Sequence, residues 1–175
     1  MTALGLAHFG VRVADLAISR EWYRQLTGGE IVHDNGVAVF FALDEDHHRF
    51  VLWSDSGAEP RAKASLGVDH IAFRCADLAA LAERCAGLDR SGIRPETAIN
   101  QGFCCSLFYR DPDGNEVELT ADNFEDAADC RTALSAALAD GALASSCSGM
   151  PFDPLEFIEL WQTGAPNAQL AQIGA

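Results

Sequence analysis

The sequence predicts an α+β fold of two consecutive βαβββ modules, forming a curved mixed sheet around a metal site, and a helical C-terminal tail. Eleven residues that start at Ala7 recur from Asp69, 62 positions later, with His, Arg, Ala, Asp, Leu and Ala repeated. Each repeated histidine opens an alternation of apolar and polar residues, which is typical of a half-buried strand. Each repeated aspartate precedes an apolar pattern of helical period. The modules are therefore expected at about residues 4–53 and 67–120.

Each module is expected to contain one capped helix. Asp15 and Asp77 stand at N-cap positions, where a carboxylate accepts hydrogen bonds from the first free amides of a helix. Gly28 ends the first helix and Gly92 follows the second, because glycine readily adopts the positive φ that closes a helix.

Three strands should follow each helix. Asn35-Gly36 is a strong hairpin-turn signal, and Asp111-Pro112-Asp113-Gly114 is the last turn of the second module. The six strands are predicted at residues 31–33, 37–43, 48–53, 95–100, 103–110 and 116–120. Residues 54–66, rich in Gly, Ser, Ala and charge, are predicted to link the modules.

The tail, residues 125–175, has no counterpart in the repeat and is treated as an extension of a domain that spans residues 1–124. Residues 126–139 are alanine-rich and helix-prone. Asp153 and Pro154 then begin another helix as N-cap and N1 residues. The apolar stripe of that helix consists of Phe157, Ile158 and Trp161. Such a stripe needs a covering surface on this chain or a neighbouring one, and a homodimer is predicted.

Composition excludes several classes of function. A formal net charge of −14 argues against nucleic acid and anionic membrane surfaces, which bind clustered Lys and Arg. No apolar run approaches the ~18 residues of a membrane span, and no signal peptide is evident, so a cytoplasmic location is expected. The six cysteines form no Cys-x-x-Cys pair, which argues against a zinc ribbon and favours reduced thiols.

The repeat also indicates a metal site. Alignment of the module ends places Glu118 over Leu52, so His8, His70 and Glu118 converge if the non-core faces of the two modules curl together. Two imidazoles and a carboxylate suit Fe(II), Mn(II) or another borderline divalent ion and leave positions open for other ligands. A single strand histidine is usually only hydrogen-bonded, but two at equivalent positions of a repeat favour ligation. His33 has no such support and is expected in solvent.

The pair His47-His48 opens the predicted fourth strand of the first module. With a period of two, His48 shares a face with Phe50 and Leu52, the face that looks at the metal if Leu52 occupies the vacated ligand position. His48 is therefore a candidate acid/base, and His47 should point the other way. The alternative is a polar pair that merely caps a turn.

These segments resemble the type I extradiol dioxygenases of the vicinal oxygen chelate superfamily, the group that includes biphenyl-2,3-diol 1,2-dioxygenases and shares its fold with glyoxalases and bleomycin-resistance proteins. The resemblance covers residues 5 to about 124, and residues 122–124 and 152–154 resemble those of single-unit members. The Asp-Pro-Asp-Gly-Asn-x-Val-Glu-Leu pattern is specific for the superfamily, whereas the His-His pair points to ring cleavage. The matching pieces are His8 and residues 44–48, 67–73 and 106–119.

The resemblance implies a non-haem Fe(II) held by His8, His70 and Glu118, with His48 as the acid/base. A catechol would bind the metal through both oxygens, and O2 would open the ring beside the diol. Substrate contacts are assigned to His47, Gln101, Phe108 and Tyr109.

Two departures from the family pattern concern the substrate. The family commonly has Tyr where this chain has Phe108 and His where it has Gln101, and a lost hydroxyl to a charged oxygen costs about 1.5–3 kcal/mol. A regular strand would turn Tyr109 to the other face. A simple catechol, a biphenyl diol and a DOPA-like catechol all remain candidate substrates.

Two other functions use the same scaffold. A glyoxalase-like lyase or isomerase generally has four protein ligands, and Leu52 cannot be one. A metal-free binding protein of the bleomycin-resistance kind does not require the two histidines and the glutamate together, so their presence counts against it.

Overall fold

Each half of the repeat forms its own mixed sheet. The computed structural model describes residues 3–59, 66–139, 141 and 148–174. The first module contains β1 (Phe9–Val13), α1 (Leu16–Thr27), β2 (Glu30–Asp34), β3 (Ala38–Ala42) and β4 (Phe50–Ser54). The second contains β5 (His70–Arg74), α2 (Leu78–Arg90), β6 (Thr97–Asn100), β7 (Cys104–Arg110) and β8 (Glu116–Asp122). The tail contains α3 (Ala127–Ala139), β9 (Met150–Pro151), α4 (Pro154–Gln162) and α5 (Asn167–Leu170). The βαβββ order predicted for both modules is confirmed.

The strand order is the same in both modules. The first sheet runs β1-β4-β3-β2 and the second β5-β8-β7-β6-β9. In each, the first and last strands of the module are parallel neighbours, and the other pairs are antiparallel. The chain divides into two compact units: residues 1–67 with 111–115, and residues 68–110 with 116–175. Of the predicted linker, residues 60–65 lie outside the described residues, as does Cys147.

The predicted helix caps are confirmed. The Asp15 carboxylate accepts hydrogen bonds from the amides of Ala17 and Ile18, and the Asp77 carboxylate accepts one from the amide of Ala80. Gly28 closes α1 with a φ of 71°. In the described parts of the chain, no helix combines the length and apolar character needed to cross a bilayer.

The tail belongs to the second unit and packs on its helix side. α4 packs against α2, and its predicted stripe buries Phe157 and Ile158, whereas Trp161 is half-buried. Sequence reasoning missed β9, which pairs with β6, and α5, whose Asn167 side chain accepts a hydrogen bond from the amide of Ala79 near the start of α2. The covering surface that the stripe requires is therefore supplied within the chain.

We expect Phe157→Ala to lower the free energy of unfolding by about 3–5 kcal/mol, the usual cost of truncating a buried phenylalanine. Leu155 lies in the same helix but is 53% exposed, so Leu155→Ala is the matched control and should have little effect. Denaturant titration followed by circular dichroism measures both. Equal stability of the two variants would show that the packing of α4 contributes little.

Candidate metal centre

The second unit places its candidate ligands on the side of its sheet turned away from α2, which we term the far face. Glu118 of β8 pairs with Ala72 of the parallel strand β5 and with Phe108 of the antiparallel strand β7. Side chains alternate along a strand, so His70, two residues before Ala72, shares the far face with Glu118. Two strands far apart in sequence thus bring an imidazole and a carboxylate together.

His70 and Glu118 are in direct contact. His70 Nε2 lies 2.9 Å from Glu118 Oε2, and Glu118 is only 7% exposed. At the other side of the ring, His70 Nδ1 lies 2.9 Å from Asp69 Oδ2. An ionised carboxylate only accepts hydrogen bonds, so Nδ1–H donates to Asp69. A neutral His70 therefore turns the lone pair of Nε2 toward Glu118.

This pair fits a bound cation. Two acceptors that face each other repel unless a positive charge lies between them, and that charge is either a proton on His70 or a metal ion. Ligand atoms at right angles on a metal with bonds of ~2.1 Å are ~3.0 Å apart, close to the separation of His70 and Glu118. A carboxylate on the second nitrogen is also the usual partner of a metal-bound histidine, because it fixes the tautomer and the ring orientation.

A second group of potential ligands lies beside this pair. Within the described part of the chain, one ligand atom each from Asp69, His70 and Glu116 lies within 4.8 Å of the others. Glu116 Oε2 is paired with Arg110 Nη2 at 2.8 Å, and Asp69 already accepts from His70. A metal bound by this group would have to displace both interactions, so Glu118 is the stronger candidate for the carboxylate ligand.

Sequence reasoning missed two polar neighbours of the pair, Asp69 and Ser106. Ser106 Oγ is fully buried and donates to Glu118 Oε1 at 2.5 Å. A serine inside an apolar strand and an aspartate directly before the repeated histidine were the available signals. Comparison of the two modules does not single out Asp69, because the first module has Ala7 at the equivalent position.

The first unit places His8 and His48 side by side. Their ring centroids are 4.6 Å apart, and the His48 ring also contacts Phe40, with centroids 5.1 Å apart. His47 Nδ1 and His48 Nδ1 are 2.6 Å apart, so one of them carries the proton of a hydrogen bond. Desolvation, and then the neighbouring imidazoles of His47 and His8, lower the pKa of His48. His48 therefore stays neutral to a more acidic pH than a free imidazole.

The predicted placement of the histidine pair is wrong. β4 begins at Phe50, so His47 and His48 lie in the loop before the strand, where strand alternation does not apply. Their ring centroids are 4.5 Å apart, and the two side chains do not point in opposite directions. Arg49 fixes the loop through ion pairs to Asp44 at 2.7 Å and Asp46 at 2.5 Å.

The predicted vacated ligand position also needs correction, since it is Val51 and not Leu52. In the second module Ala72 pairs with Glu118. Gly10, the repeat equivalent of Ala72, pairs with Val51. Leu52 is fully buried on the side of the first sheet that packs against α1. Valine has no donor atom, so the first module still offers no ligand at this position.

The predicted substrate contacts divide between the two faces of the second sheet. Phe108 is on the far face, and its ring centroid is 5.6 Å from that of His70. Tyr109 lies on the opposite face beside Cys85 of α2, where burial raises the pKa of its hydroxyl, so its assignment to the substrate is wrong. Gln101 lies after β6, and its Oε1 accepts from the Cys104 thiol at 3.3 Å. His33 is exposed, as expected.

The chain belongs to the Glyoxalase/Bleomycin resistance protein/Dioxygenase superfamily, which residues 5–119 match. The solved glyoxylase/bleomycin resistance protein/dioxygenase domain from Frankia sp. EAN1pec has the same fold. Its TM-score is 0.59 at 20% sequence identity, over 71% of this chain and 96% of that chain.

Two relatives are similar over most of their length. Biphenyl-2,3-diol 1,2-dioxygenase 3 of Rhodococcus globerulus is 33% identical over 170 residues, which are 94% of this chain and 86% of the relative. Biphenyl-2,3-diol 1,2-dioxygenase 2 of the same organism is 30% identical over 161 residues, 91% of this chain and 83% of the relative. This homology supports a dioxygenase-type enzyme and suggests a divalent metal.

We expect Glu118→Gln to retain little metal after reconstitution, because a neutral amide is a much weaker ligand than a carboxylate. Glu116→Gln removes a charge from the same strand and should retain the metal. The metal content of both variants can be measured by mass spectrometry after reconstitution with Fe(II). If only Glu116→Gln loses the metal, the metal ligands are Asp69, His70 and Glu116 instead.

Proposed function

We propose that this protein is an extradiol dioxygenase that adds O2 to a catechol at a non-haem Fe(II) site. The two relatives are named as dioxygenases of biphenyl-2,3-diol, which carries two neighbouring hydroxyl groups. The observation that carries the proposal is the contact of His70 Nε2 with Glu118 Oε2, with Asp69 behind the imidazole. This arrangement supports the pair as metal ligands, because the hydrogen bond to Asp69 leaves Nε2 of His70 free to bind a metal.

The third proposed ligand is His8, and the argument for it comes from the sequence. His8 is the repeat equivalent of His70, and Val51 at the position equivalent to Glu118 limits the protein ligands to three. Two imidazoles and one carboxylate are the ligand set of non-haem Fe(II) oxygenases. When bound, Fe(II) would supply open coordination positions for a catechol and O2 and the redox chemistry between them. Mn(II) suits the same ligands.

His48 is the proposed acid/base of the reaction. Its lowered pKa keeps the ring neutral at physiological pH, so the ring can accept a proton from a catechol hydroxyl and return it to the opened product. Its hydrogen bond with His47 Nδ1 involves the Nδ1 atom of His48. This leaves Nε2 of His48 as the atom available to the substrate, and His47 orients the ring.

Aromatic side chains near His48 support a flat substrate. Phe40 contacts both His48 and Trp53, with ring centroids 5.1 and 6.0 Å away. Gly10 lies against Trp53, and a β carbon there would come within 3.5 Å of the indole. Edge-to-face and offset contacts with such rings favour an aromatic substrate such as a catechol.

Oxygen uptake by anaerobically reconstituted protein tests the function directly. Protein loaded with Fe(II) is mixed with catechol, biphenyl-2,3-diol and DOPA, and O2 consumption is recorded with the absorbance of the yellow ring-opened product. We expect uptake with at least one of the three. Protein that holds Fe(II) but consumes no O2 with any of them would contradict the proposal and favour a lyase or a binding protein.

His48→Ala should retain the metal and lower turnover by ~10²–10⁴-fold, the usual contribution of proton transfer. Glu45→Ala is the control because Glu45 is an exposed residue of the same loop, and its turnover should equal that of the unaltered protein. Equal turnover of the two variants at equal metal content would exclude His48 as the acid/base. His47→Ala should have an intermediate effect, since its ring contacts His48.

Phe108→Tyr should raise kcat/KM for a catechol by about 10–150-fold if its hydroxyl donates to a charged substrate oxygen, the equivalent of about 1.5–3 kcal/mol. Tyr109→Phe is the control, because that hydroxyl lies on the opposite face of the sheet and its removal should leave kcat/KM unchanged. An unchanged or lower kcat/KM in Phe108→Tyr would show that this phenylalanine lies away from the substrate oxygen.

A further inference from the structure

Three side chains extend from Glu118 along the far face of β7 and β8 and form a polar row with it. In the antiparallel register Ser106 pairs with Thr120, two residues along from the pair of Phe108 with Glu118. Ser106 Oγ lies 2.5 Å from Glu118 Oε1, 3.3 Å from Thr120 Oγ1 and 3.6 Å from Cys104 Sγ. The row consists of Cys104, Ser106, Glu118 and Thr120.

The protons of this row can be assigned from their acceptors. Ser106 has a single hydroxyl proton and three polar contacts. The shortest contact is to a carboxylate oxygen of Glu118, so the hydroxyl donates its proton to that oxygen. The hydroxyl of Thr120 donates to the backbone carbonyl of Cys105 at 3.1 Å. The thiol of Cys104 donates to Gln101 Oε1 at 3.3 Å. Each donor thus has its own acceptor, and the proton of Ser106 is directed at Glu118.

We propose that Ser106 is a positioning residue that holds Glu118 so that a single oxygen, Oε2, is presented to the metal. The inference rests on the metal site proposed above. Ser106 occupies Oε1, and the other oxygen of the same carboxylate is the one that faces His70 Nε2 at 2.9 Å. The terminal torsion of a glutamate is soft, so the carboxylate would otherwise rotate freely between one-oxygen and two-oxygen binding.

Removal of the hydroxyl has a definite consequence for the ligand. Glu118 is 7% exposed and Ser106 is fully buried, so water does not readily replace the lost donor. Oε1 is then no longer held away from the metal, so the carboxylate loses the single-oxygen geometry that the native arrangement provides. Loss of such an outer hydrogen bond typically lowers metal affinity by about 10–100-fold.

Titration with Mn(II), followed by electron paramagnetic resonance, tests the inference without catalysis. The full-length apoprotein is compared with Ser106→Ala and with Thr120→Val. Thr120→Val is the matched control because it removes a neighbouring hydroxyl that bonds the backbone and keeps the side-chain volume. We expect the Mn(II) Kd to rise about 10–100-fold in Ser106→Ala, with an altered bound-metal spectrum, and to change little in Thr120→Val. Ser106→Thr, which restores the hydroxyl, should recover the affinity.

The outcomes separate this inference from the proposed site. If the unaltered protein binds no Mn(II), the metal site itself is wrong. If it binds and Ser106→Ala binds equally well, the positioning role is wrong. Equally weakened Mn(II) binding in Ser106→Ala and Thr120→Val would attribute the effect to the general polarity of this face. That result would also contradict the positioning role of Ser106. Melting temperatures of the apoproteins identify a misfolded variant, and in that case Ser106→Cys, which keeps a weaker donor in a similar volume, should bind with intermediate affinity.

Discussion

The parallel pairing of the first and last strands of each module is the constraint on which the rest of the structure depends. Parallel strands cannot be joined by a tight turn, so the chain must cross over between them, and here the crossover contains a helix and two strands. The helix covers one side of the sheet, and strand alternation sends every second residue to the other side. In the second module this puts His70, from the first strand, next to Glu118, from the last.

The contact that results is not one that the fold requires. A buried carboxylate beside the lone pair of a neutral imidazole is unfavourable unless a cation joins them. The first module shows that the fold does not need it, since Val51 occupies the equivalent position. The second module instead keeps Glu118 and supports it with Ser106. By contrast, the neighbouring Glu116 has its own counter-charge in Arg110 and needs no metal.

Local signals predicted the fold, and tertiary contacts decided the parts that were missed. Asp15 and Asp77 form caps within a few residues, so sequence suffices to find them. Phe50, Val51 and Leu52 are all buried, so no alternation marks their register, and the alignment slipped by one residue. His47 and His48 lie in the loop before β4, where Arg49 forms ion pairs with Asp44 and Asp46 that no local periodicity predicts. β9, only two residues long, has no periodicity to detect.

The turn that opens the motif most specific for the family, Asp111 to Asn115, is structural and contributes no residue to the candidate site. The Asp111 carboxylate is 4% exposed and accepts hydrogen bonds from the amides of Asp113 and Asn115, the Asn115 side chain and the Tyr23 hydroxyl of α1. A buried carboxylate with four donors is satisfied without a metal or substrate. This turn therefore orders the chain just before Glu116, and a strand that starts at a fixed residue fixes which side of the sheet Glu118 faces.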